Sequence, residues 1–179
     1  MKNIGILGPA GSGKGTAANF FVKKYRYKSL TMSDTLRAIA KEKKIKPTRE
    51  NLHKLQGVYR KKYGTDFIIK EVLKKTKGIK KPIVLDGIRS IPDVKGAKKH
   101  LKIKLILVDA PPKIRFKRLK KRRRKGFPRT FEDFKKMEKE ENRAFKFKKV
   151  FKHADYKIIN SKDKNSLNKD LQKLIPKLK

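Results

Sequence analysis

The chain has 179 residues, a length that fits one folded domain with a modest core. Its outstanding property is charge: 54 Lys and Arg residues against 16 Asp and Glu give a formal net charge of +38 at pH 7. Such an excess favours partners that carry phosphate, such as nucleotides, nucleic acids or anionic lipid surfaces, without distinguishing among them. The chain has no cysteine, which excludes disulfides, thiolate metal sites and thiol nucleophiles.

The apolar runs of the chain are short. None approaches the roughly 18 apolar residues of a membrane-spanning helix, and the segment before Gly8 is too short for the apolar region of a signal peptide. The three histidines lie far apart in the sequence without ligand spacing, so we expect no structural metal. We therefore expect a cytoplasmic protein without a membrane partner, either a monomer or a small homo-oligomer.

Apolar runs alternate with longer stretches of helical period, an order typical of a parallel sheet covered by helices. Strands are predicted at residues 4–7, 29–32, 83–85, 103–108 and 156–159. Helices are predicted at residues 14–25, 35–44, 48–63, 65–77, 112–125, 131–151 and 166–174. The third and fourth of these helices form a hairpin inserted between the second and third strands, where there is room for a substrate.

A glycine-rich turn joins the first predicted strand to the first predicted helix. Strand, glycine-rich turn and helix together indicate a phosphate-binding loop, because glycines let backbone N–H groups turn inward and the helix N-terminus adds its positive end. A dinucleotide-binding turn is disfavoured, since Thr16 stands at its third glycine position. The residues expected to bind nucleotide here are Gly8, Ala10, Gly11, Ser12, Gly13, Lys14, Gly15 and Thr16.

The loop departs from the general phosphate-loop pattern at one position. That pattern has Ser or Thr directly after the lysine as a Mg²⁺ ligand, whereas here Gly15 separates Lys14 from Thr16. The arrangement Gly-Lys-Gly-Thr resembles adenylate kinase and related nucleoside monophosphate kinases. The resemblance implies that phosphates and water supply most of the metal's ligands, and that Lys14 is catalytic.

The third predicted strand leads into Asp86, at the same edge of the sheet as the glycine-rich loop. An acid there is typical of a Walker B residue, which orients Mg²⁺ or its water shell during phosphoryl transfer. The alternative is a turn-capping aspartate before Gly87. We expect Asp86 and Thr16 to hold Mg²⁺ partly through water, with Asp86 as a catalytic residue.

Two arginines follow the second and third predicted strands. Residues 31–38, which contain Asp34 and Arg37, are similar to the Ser-Thr-Gly-Asp-Leu-Leu-Arg-Ala stretch of adenylate kinases, and residues 86–89 resemble their Asp-Gly-Phe-Pro-Arg motif. The resemblance implies that Arg37 and Arg89 grip the phosphate of an acceptor, with Asp34 beside it, in an acceptor-binding insertion at residues 34–78. Two guanidiniums suit one dianion because each bonds it in a bidentate manner. The alternative is that each is an ordinary surface arginine.

Arg118 and Arg122 stand four residues apart in an Arg-Leu-x-x-Arg spacing that resembles the lid entrance of nucleoside monophosphate kinases. The resemblance implies that they contact the adenine or the migrating phosphoryl group, with Arg129 as an addition from the lid. A hinge at residues 126–128 would close the lid region, 113–135, and exclude water. Ten of the thirteen residues from 113 to 125 are basic, and we expect most of them to be solvated.

Residues 154–160 resemble the Ala-Asp-x-x-Ile-x-Asn strand of dephospho-CoA kinases and of archaeal kinase-like proteins allied to them, which makes Asn160 a nucleotide-binding candidate. Residues 48–52, 86–90 and 130–134 also look like that archaeal group, so the resemblance covers nearly the whole chain. It implies one P-loop NTPase domain over residues 1–179, with three α/β/α layers and a five-stranded parallel sheet in the order 2-3-1-4-5.

Three functions remain open from the sequence. The first is a kinase that transfers the γ-phosphoryl group of ATP, with Mg²⁺, to a nucleoside monophosphate; its acceptor is already ionised and needs no general base. The second is a dephospho-CoA kinase, in which Asp34 would deprotonate a 3′-hydroxyl. The third is an RNA- or ribosome-associated ATPase, suggested by the basic stretch and the overall charge, which also favours non-specific nucleic-acid binding.

Overall fold

Five short strands form the centre of the protein in a computed structural model that describes residues 1–122 and 127–178. They are β1 (Ile4–Leu7), β2 (Lys28–Thr31), β3 (Ile83–Asp86), β4 (Lys104–Asp109) and β5 (Tyr156–Ile159). All neighbouring pairs are parallel, in the order β2-β3-β1-β4-β5. The predicted topology is therefore confirmed.

Helices cover both faces of this sheet. They are α1 (Lys14–Tyr25), α2 (Met32–Glu42), α3 (Arg49–Tyr63), α4 (Phe67–Lys74), α5 (Ile91–Leu101), α6 (Pro112–Lys121), α7 (Phe131–Phe145), α8 (Phe147–Phe151) and α9 (Lys164–Leu174), followed by a 3₁₀ turn at Ile175–Leu178. Side chains of the strands alternate between two apolar clusters. Leu85 and Leu105 pack with α2 to α5, while Val84 and Ile106 pack with α1 and α9. The three-layer prediction is confirmed.

Helix α5 is missing from the sequence-based prediction, which leaves residues 86–102 without an element. Its start is well marked: the Ser90 hydroxyl accepts a hydrogen bond from the Asp93 backbone N–H at 3.3 Å, and Pro92 stands in the first turn. Serine followed by proline and an acid is a recognisable helix N-terminus. The apolar pattern that follows this N-terminus is short and interrupted by lysines, so it did not indicate a helix.

The single helix predicted at residues 131–151 is wrong. Lys146 adopts a left-handed conformation with φ of 51°, and its N–H bonds back to Asn142 O at 2.9 Å, so the chain turns between α7 and α8. The helix predicted at residues 112–125 is present as far as Lys121, and residues 123–126, including Gly126 of the predicted hinge, lie outside the described residues. No helix among the described residues is long and apolar enough to cross a membrane.

Candidate active site

The turn between β1 and α1 can exist only with glycine at its tightest points. Gly11 has φ of +78° and Gly13 has φ of +100°. A Cβ atom at Gly11 would lie 2.6 Å from Arg115 O, and one at Gly13 would lie 2.3 Å from Asn160 Nδ2. Both the backbone conformation and the close contacts therefore require glycine. The unpaired N–H groups of the first turn of α1 follow directly, which is the arrangement that favours an anion.

Lys14 begins α1 and folds back over this turn, where its Nζ donates a hydrogen bond to Pro9 O at 3.3 Å. Burial of the ammonium group, and then the charge of Arg89, lower the pKa of Lys14 to about 8, while Asp86 opposes the shift. An ammonium group that is desolvated and repelled in this way gains strongly from an anion in the loop. The phosphate-binding residues predicted from the sequence thus form one cradle.

Asp86 ends β3 at the edge of the sheet nearest to the start of α1. Its Oδ1 is buried without a hydrogen-bond partner among the described residues, and its Oδ2 lies 4.0 Å from the position of a Cβ on Gly15. Burial raises the pKa of Asp86, while Lys14 and Arg89 hold it down and the charge of Asp34 adds to the rise. Asp34 is therefore near enough to Asp86 for its charge to act on that carboxyl.

The unpaired Asp86 oxygen fits a Mg²⁺ ion or one of its water ligands, since hard cations take oxygen ligands and Mg²⁺ keeps several waters. Among residues 1–122 and 127–178, no group of three or more His, Cys, Asp or Glu side chains could hold a metal ion by itself. Phosphate oxygens and water would have to complete the coordination. This fits the expectation from Gly15, which displaces the threonine hydroxyl from its usual place after the lysine.

Arg118 and Asn160 join the loop after β5 to the phosphate loop. Arg118 donates hydrogen bonds to the backbone O atoms of Asn160 at 3.0 Å and Lys162 at 2.7 Å, and Asn160 Nδ2 donates to Ser12 O at 2.8 Å. Burial, and then the charge of Arg122, lower the pKa of Arg118. A pocket of about 390 Å³ opens beside this group. It is lined by Gly13, Thr16, Arg118, Lys121, Arg122, Asn160, Lys162, Asp163, Lys164 and Leu167.

Arg89 follows β3 and lies near Lys14. Arg89 and a second arginine, Arg49 at the start of α3, both lie close enough to Lys14 to lower its pKa. Arg37 is exposed, and neither its side chain nor that of Asp34 makes an ion pair or a side-chain hydrogen bond within the described part of the chain. The structure therefore brings Arg49, and not the predicted Arg37, into electrostatic contact with Arg89 and Lys14.

Arg49 and Glu141, which pairs with it, are the site residues that sequence reasoning missed. Arg49 follows the N-cap residue Thr48 within a stretch that resembles archaeal kinase-like proteins, and that signal could have indicated it. Glu141 offers no comparable signal, because it is one of five acids on the polar helix α7. Only the fold shows which of these acids faces the site.

The basic stretch at the start of the predicted lid divides into two kinds of residue. Lys113, Lys117, Lys120, Lys121 and Arg122 are exposed. Arg115 is buried: its Nε donates to Ala110 O at 2.7 Å, its guanidinium forms a two-pronged ion pair with Glu138, and it lies over the ring of Phe134. Arg115 therefore fixes α6 against α7.

A parallel sheet in this strand order, with a phosphate loop after β1 and an acid at the end of β3, is typical of the P-loop NTPase fold. The family model described as an AAA domain matches residues 7–143. The chain is 32% identical to the UPF0200 protein of the archaeon Thermococcus gammatolerans, over 97% of this chain and 93% of that protein. The chain therefore belongs to the AAA domain family and to the UPF0200 proteins.

Solved structures with the same fold include kinases. Shikimate kinase from Acinetobacter baumannii, in complex with shikimate, has a TM-score of 0.58 at 15% identity and covers 99% of this chain and 94% of its own. TT1252 from Thermus thermophilus has a TM-score of 0.59 at 22% identity, with 100% of both chains covered. At these identities the likeness shows the fold, and the acceptor has to be argued from the site itself.

Proposed function

We propose that this protein is an ATP-dependent kinase whose acceptor is a nucleoside monophosphate. The observation that carries the proposal is the position of Arg89. Its guanidinium makes no hydrogen bond within the described part of the chain, yet it lies near enough to Lys14 and Asp86 to shift the pKa of both. An arginine with free donors next to a phosphate loop suits a second phosphate group, because guanidinium binds phosphate in a bidentate manner.

In the proposed mechanism Lys14 lies between the binding site for ATP and the binding site for the acceptor. The phosphate loop binds the β- and γ-phosphates of ATP, and Lys14 leaves Pro9 O to contact them. Arg118 and Asn160 border the pocket that would take the adenosine. Mg²⁺, when bound, would neutralise charge on the transferring phosphoryl group, and Asp86 would orient its water ligands.

Arg89 would hold the acceptor phosphate in line with the γ-phosphoryl group. The attacking oxygen of a monophosphate is already ionised at neutral pH, so no side chain has to remove a proton. The main tasks of the protein are then positioning and charge stabilisation, together with the exclusion of water as a competing acceptor. Arg122, an exposed residue on the border of the same pocket, is the proposed lid residue for the migrating group.

A second candidate function is transfer to a hydroxyl group, as in a dephospho-CoA kinase. Asp34 supports it, because its charge acts on Asp86 and it lies exposed in the first turn of α2. A carboxylate in that place could accept the proton of a hydroxyl acceptor. Shikimate kinase, a neighbour of the same fold that was solved with shikimate, takes a substrate with hydroxyl groups.

The test is transfer from ATP, with Mg²⁺, to AMP, GMP, CMP, UMP, TMP and dephospho-CoA, followed by chromatography of the products. We expect one of the monophosphates to give a diphosphate, and Lys14→Ala to reduce its rate at least a hundredfold, since the phosphate loop loses its mobile cation. Lys23→Ala, an exposed lysine of the same helix, is the control and should retain the wild-type rate.

Phosphorylation of dephospho-CoA alone would establish the second candidate instead. Asp34→Asn should then lower the rate by two or more orders of magnitude, whereas transfer to a monophosphate should survive that substitution much better. If none of the six compounds is phosphorylated, both candidates are wrong.

A further inference from the structure

Glu141 is a buried carboxylate that faces two arginines at once. It lies on α7 with its side chain only 8% exposed. Its Oε1 forms a direct ion pair with Arg49 Nη2 and lies 3.6 Å from Arg89 Nη1 and 3.9 Å from His53 Nε2. Three parts of the chain that are far apart in sequence, the start of α3, the loop after β3 and the middle of α7, therefore meet at one oxygen atom.

The charges in this cluster do not balance. Burial, and then the charges of Arg89 and Arg49, lower the pKa of His53 to about 4, so the imidazole is neutral near pH 7. Two guanidiniums then share the Glu141 carboxylate, with the ammonium of Lys14 near both and the carboxylate of Asp86 near Lys14 and Arg89. Burial, and then the charge of Arg89, lower the pKa of Arg49 to about 10. An added anion would be attracted by these two guanidiniums, only one of which has a direct carboxylate partner.

Each of the two guanidiniums lies over an aromatic ring. The Arg49 guanidinium carbon lies 5.3 Å from the centre of the Phe127 ring, and that of Arg89 lies 5.9 Å from the centre of the Phe145 ring. Such a contact stabilises the cation without using its N–H donors. Arg89 uses none of its donors in a hydrogen bond to another described residue.

A second buried arginine pair in the same protein shows what a purely structural pair looks like. Arg60 Nη2 donates to Asp93 Oδ2 at 2.5 Å and to Ser90 Oγ at 3.0 Å, so one arginine meets one acid and a hydroxyl. At Glu141 one acid serves two arginines, and Arg89 is held at a distance longer than a hydrogen bond. Arg60 therefore has an acid of its own, whereas Arg49 and Arg89 share one.

We propose that Arg49 is a second ligand for the acceptor's phosphate monoester, and that Glu141 is the positioning residue that holds Arg49 beside Arg89. This proposal rests on the proposed function, since it adds a residue to the acceptor side of that site. Arg49 would then have the phosphate-binding role that the resemblance to adenylate kinases implies for Arg37. The phosphate dianion would bridge the two guanidiniums, with Glu141 behind Arg49 keeping its fork in place.

The test is direct binding and steady-state kinetics with the same set of phosphate compounds. Binding of AMP, GMP, CMP, UMP, TMP and dephospho-CoA is measured by isothermal titration calorimetry with the donor site saturated by MgADP, and the KM values of acceptor and ATP are measured separately. Arg49→Ala should weaken acceptor binding about tenfold to a hundredfold while the KM of ATP changes less than twofold, because a charge-assisted hydrogen-bond pair is lost. Arg143→Ala, an exposed arginine of α7, is the matched control and should leave acceptor binding unchanged.

Glu141→Gln tests the positioning role, since the amide keeps the shape and removes the charge. We expect a threefold to tenfold rise in acceptor KM with kcat changed less than twofold, and no further rise when Glu141→Gln is added to Arg49→Ala. An additive effect in the double variant would contradict action through Arg49. Circular dichroism spectra of all variants establish that they are folded.

The proposal and the proposed function fail in different ways. If transfer occurs and Arg49→Ala keeps the wild-type acceptor KM, the role of Arg49 is wrong and the kinase stands. If no compound is phosphorylated although one binds in an Arg49-dependent manner, the anion site stands and the proposed reaction is wrong. If no compound binds, both are overturned.

Discussion

Burial, and then the charge of Arg89, lower the pKa of Lys14 to about 8. Because Lys14 must carry a positive charge to bind phosphate, we expect donor binding to depend on pH. Below pH 8 the ammonium is charged and ready for a phosphate. Above pH 8 the free protein loses the proton, and binding ATP must restore it. We therefore expect the Kd of ATP to be constant from pH 6.5 to 7.5 and to rise up to about tenfold per pH unit above 8.

Isothermal titration calorimetry of ATP from pH 6.5 to 9.5 measures this dependence. Lys14→Arg is the control, since a guanidinium keeps its charge throughout the range. A wild-type profile as flat as that of Lys14→Arg would show that Lys14 stays protonated at pH 9 in the free protein.

At the scale of elements, the contact between α3 and α5 depends on the buried pair Arg60–Asp93. Asp93 is 1% exposed, and it also receives the hydroxyl hydrogen bond of Ser90 at 2.5 Å. Asp93→Ala leaves the Arg60 guanidinium buried without its counter-charge. We expect a loss of about 3–5 kcal/mol in the free energy of unfolding, measured by urea denaturation.

The control for this prediction is Asp170→Ala, which removes an exposed pair with Lys173 at 3.3 Å on α9. It should cost less than about 1 kcal/mol, because exposed ion pairs are screened by water. Equal losses in the two variants would mean that burial adds nothing to the Arg60–Asp93 pair.

The elements that follow local rules were predictable, and those that depend on distant contacts were not. Glycine spacing before Lys14 indicated the phosphate loop, and the alternation of strand and helix patterns indicated a parallel sheet, whose strand order the family resemblance implied. The turn at Lys146 has no glycine or proline to mark it, because a lysine adopts the left-handed conformation there. Arg37 and Arg89 were predicted to bind an acceptor, whereas the ion pair of Arg49 with Glu141 joins residues 92 positions apart and no local pattern indicates it.

Asp155 belongs to a sequence motif that was recognised, but its role could not be predicted from that motif. The resemblance to dephospho-CoA kinases includes this aspartate, yet its carboxylate accepts a hydrogen bond from Leu105 N at 2.7 Å while its own N–H donates to Leu105 O at 2.8 Å. Asp155 thus sets β5 against β4. A shared sequence motif can contain a residue that acts on the fold while a neighbour, here Asn160, reaches the site.

For the whole molecule, the net charge of +38 should oppose folding through self-repulsion. The Debye length falls from about 10 Å at 0.1 M salt to about 3 Å at 1 M, so added NaCl screens this repulsion. We expect the melting temperature to rise between 0.1 and 1 M NaCl, measured by differential scanning calorimetry. A variant with Lys41, Lys80 and Lys152, all exposed, changed to Gln should show a smaller rise.

A melting temperature that stays constant or falls over this range would contradict the repulsion argument. The same charge predicts non-specific binding of RNA that weakens steeply with salt. The RNA-dependent ATPase remains a separate prediction, and it requires hydrolysis that RNA stimulates.

The hydrogen bond from Asn160 to Ser12 O has a consequence for biosynthesis. It closes the nucleotide loop at residue 12 with a side chain 148 positions later, so a growing chain cannot complete that loop until residue 160 has left the ribosome. Strand β1 and the glycines after it are synthesised early, whereas Asn160, which bonds to Ser12 O, is synthesised late. A nucleotide bound there, as the proposed function requires, would stabilise by mass action only chains whose residue 160 has left the ribosome.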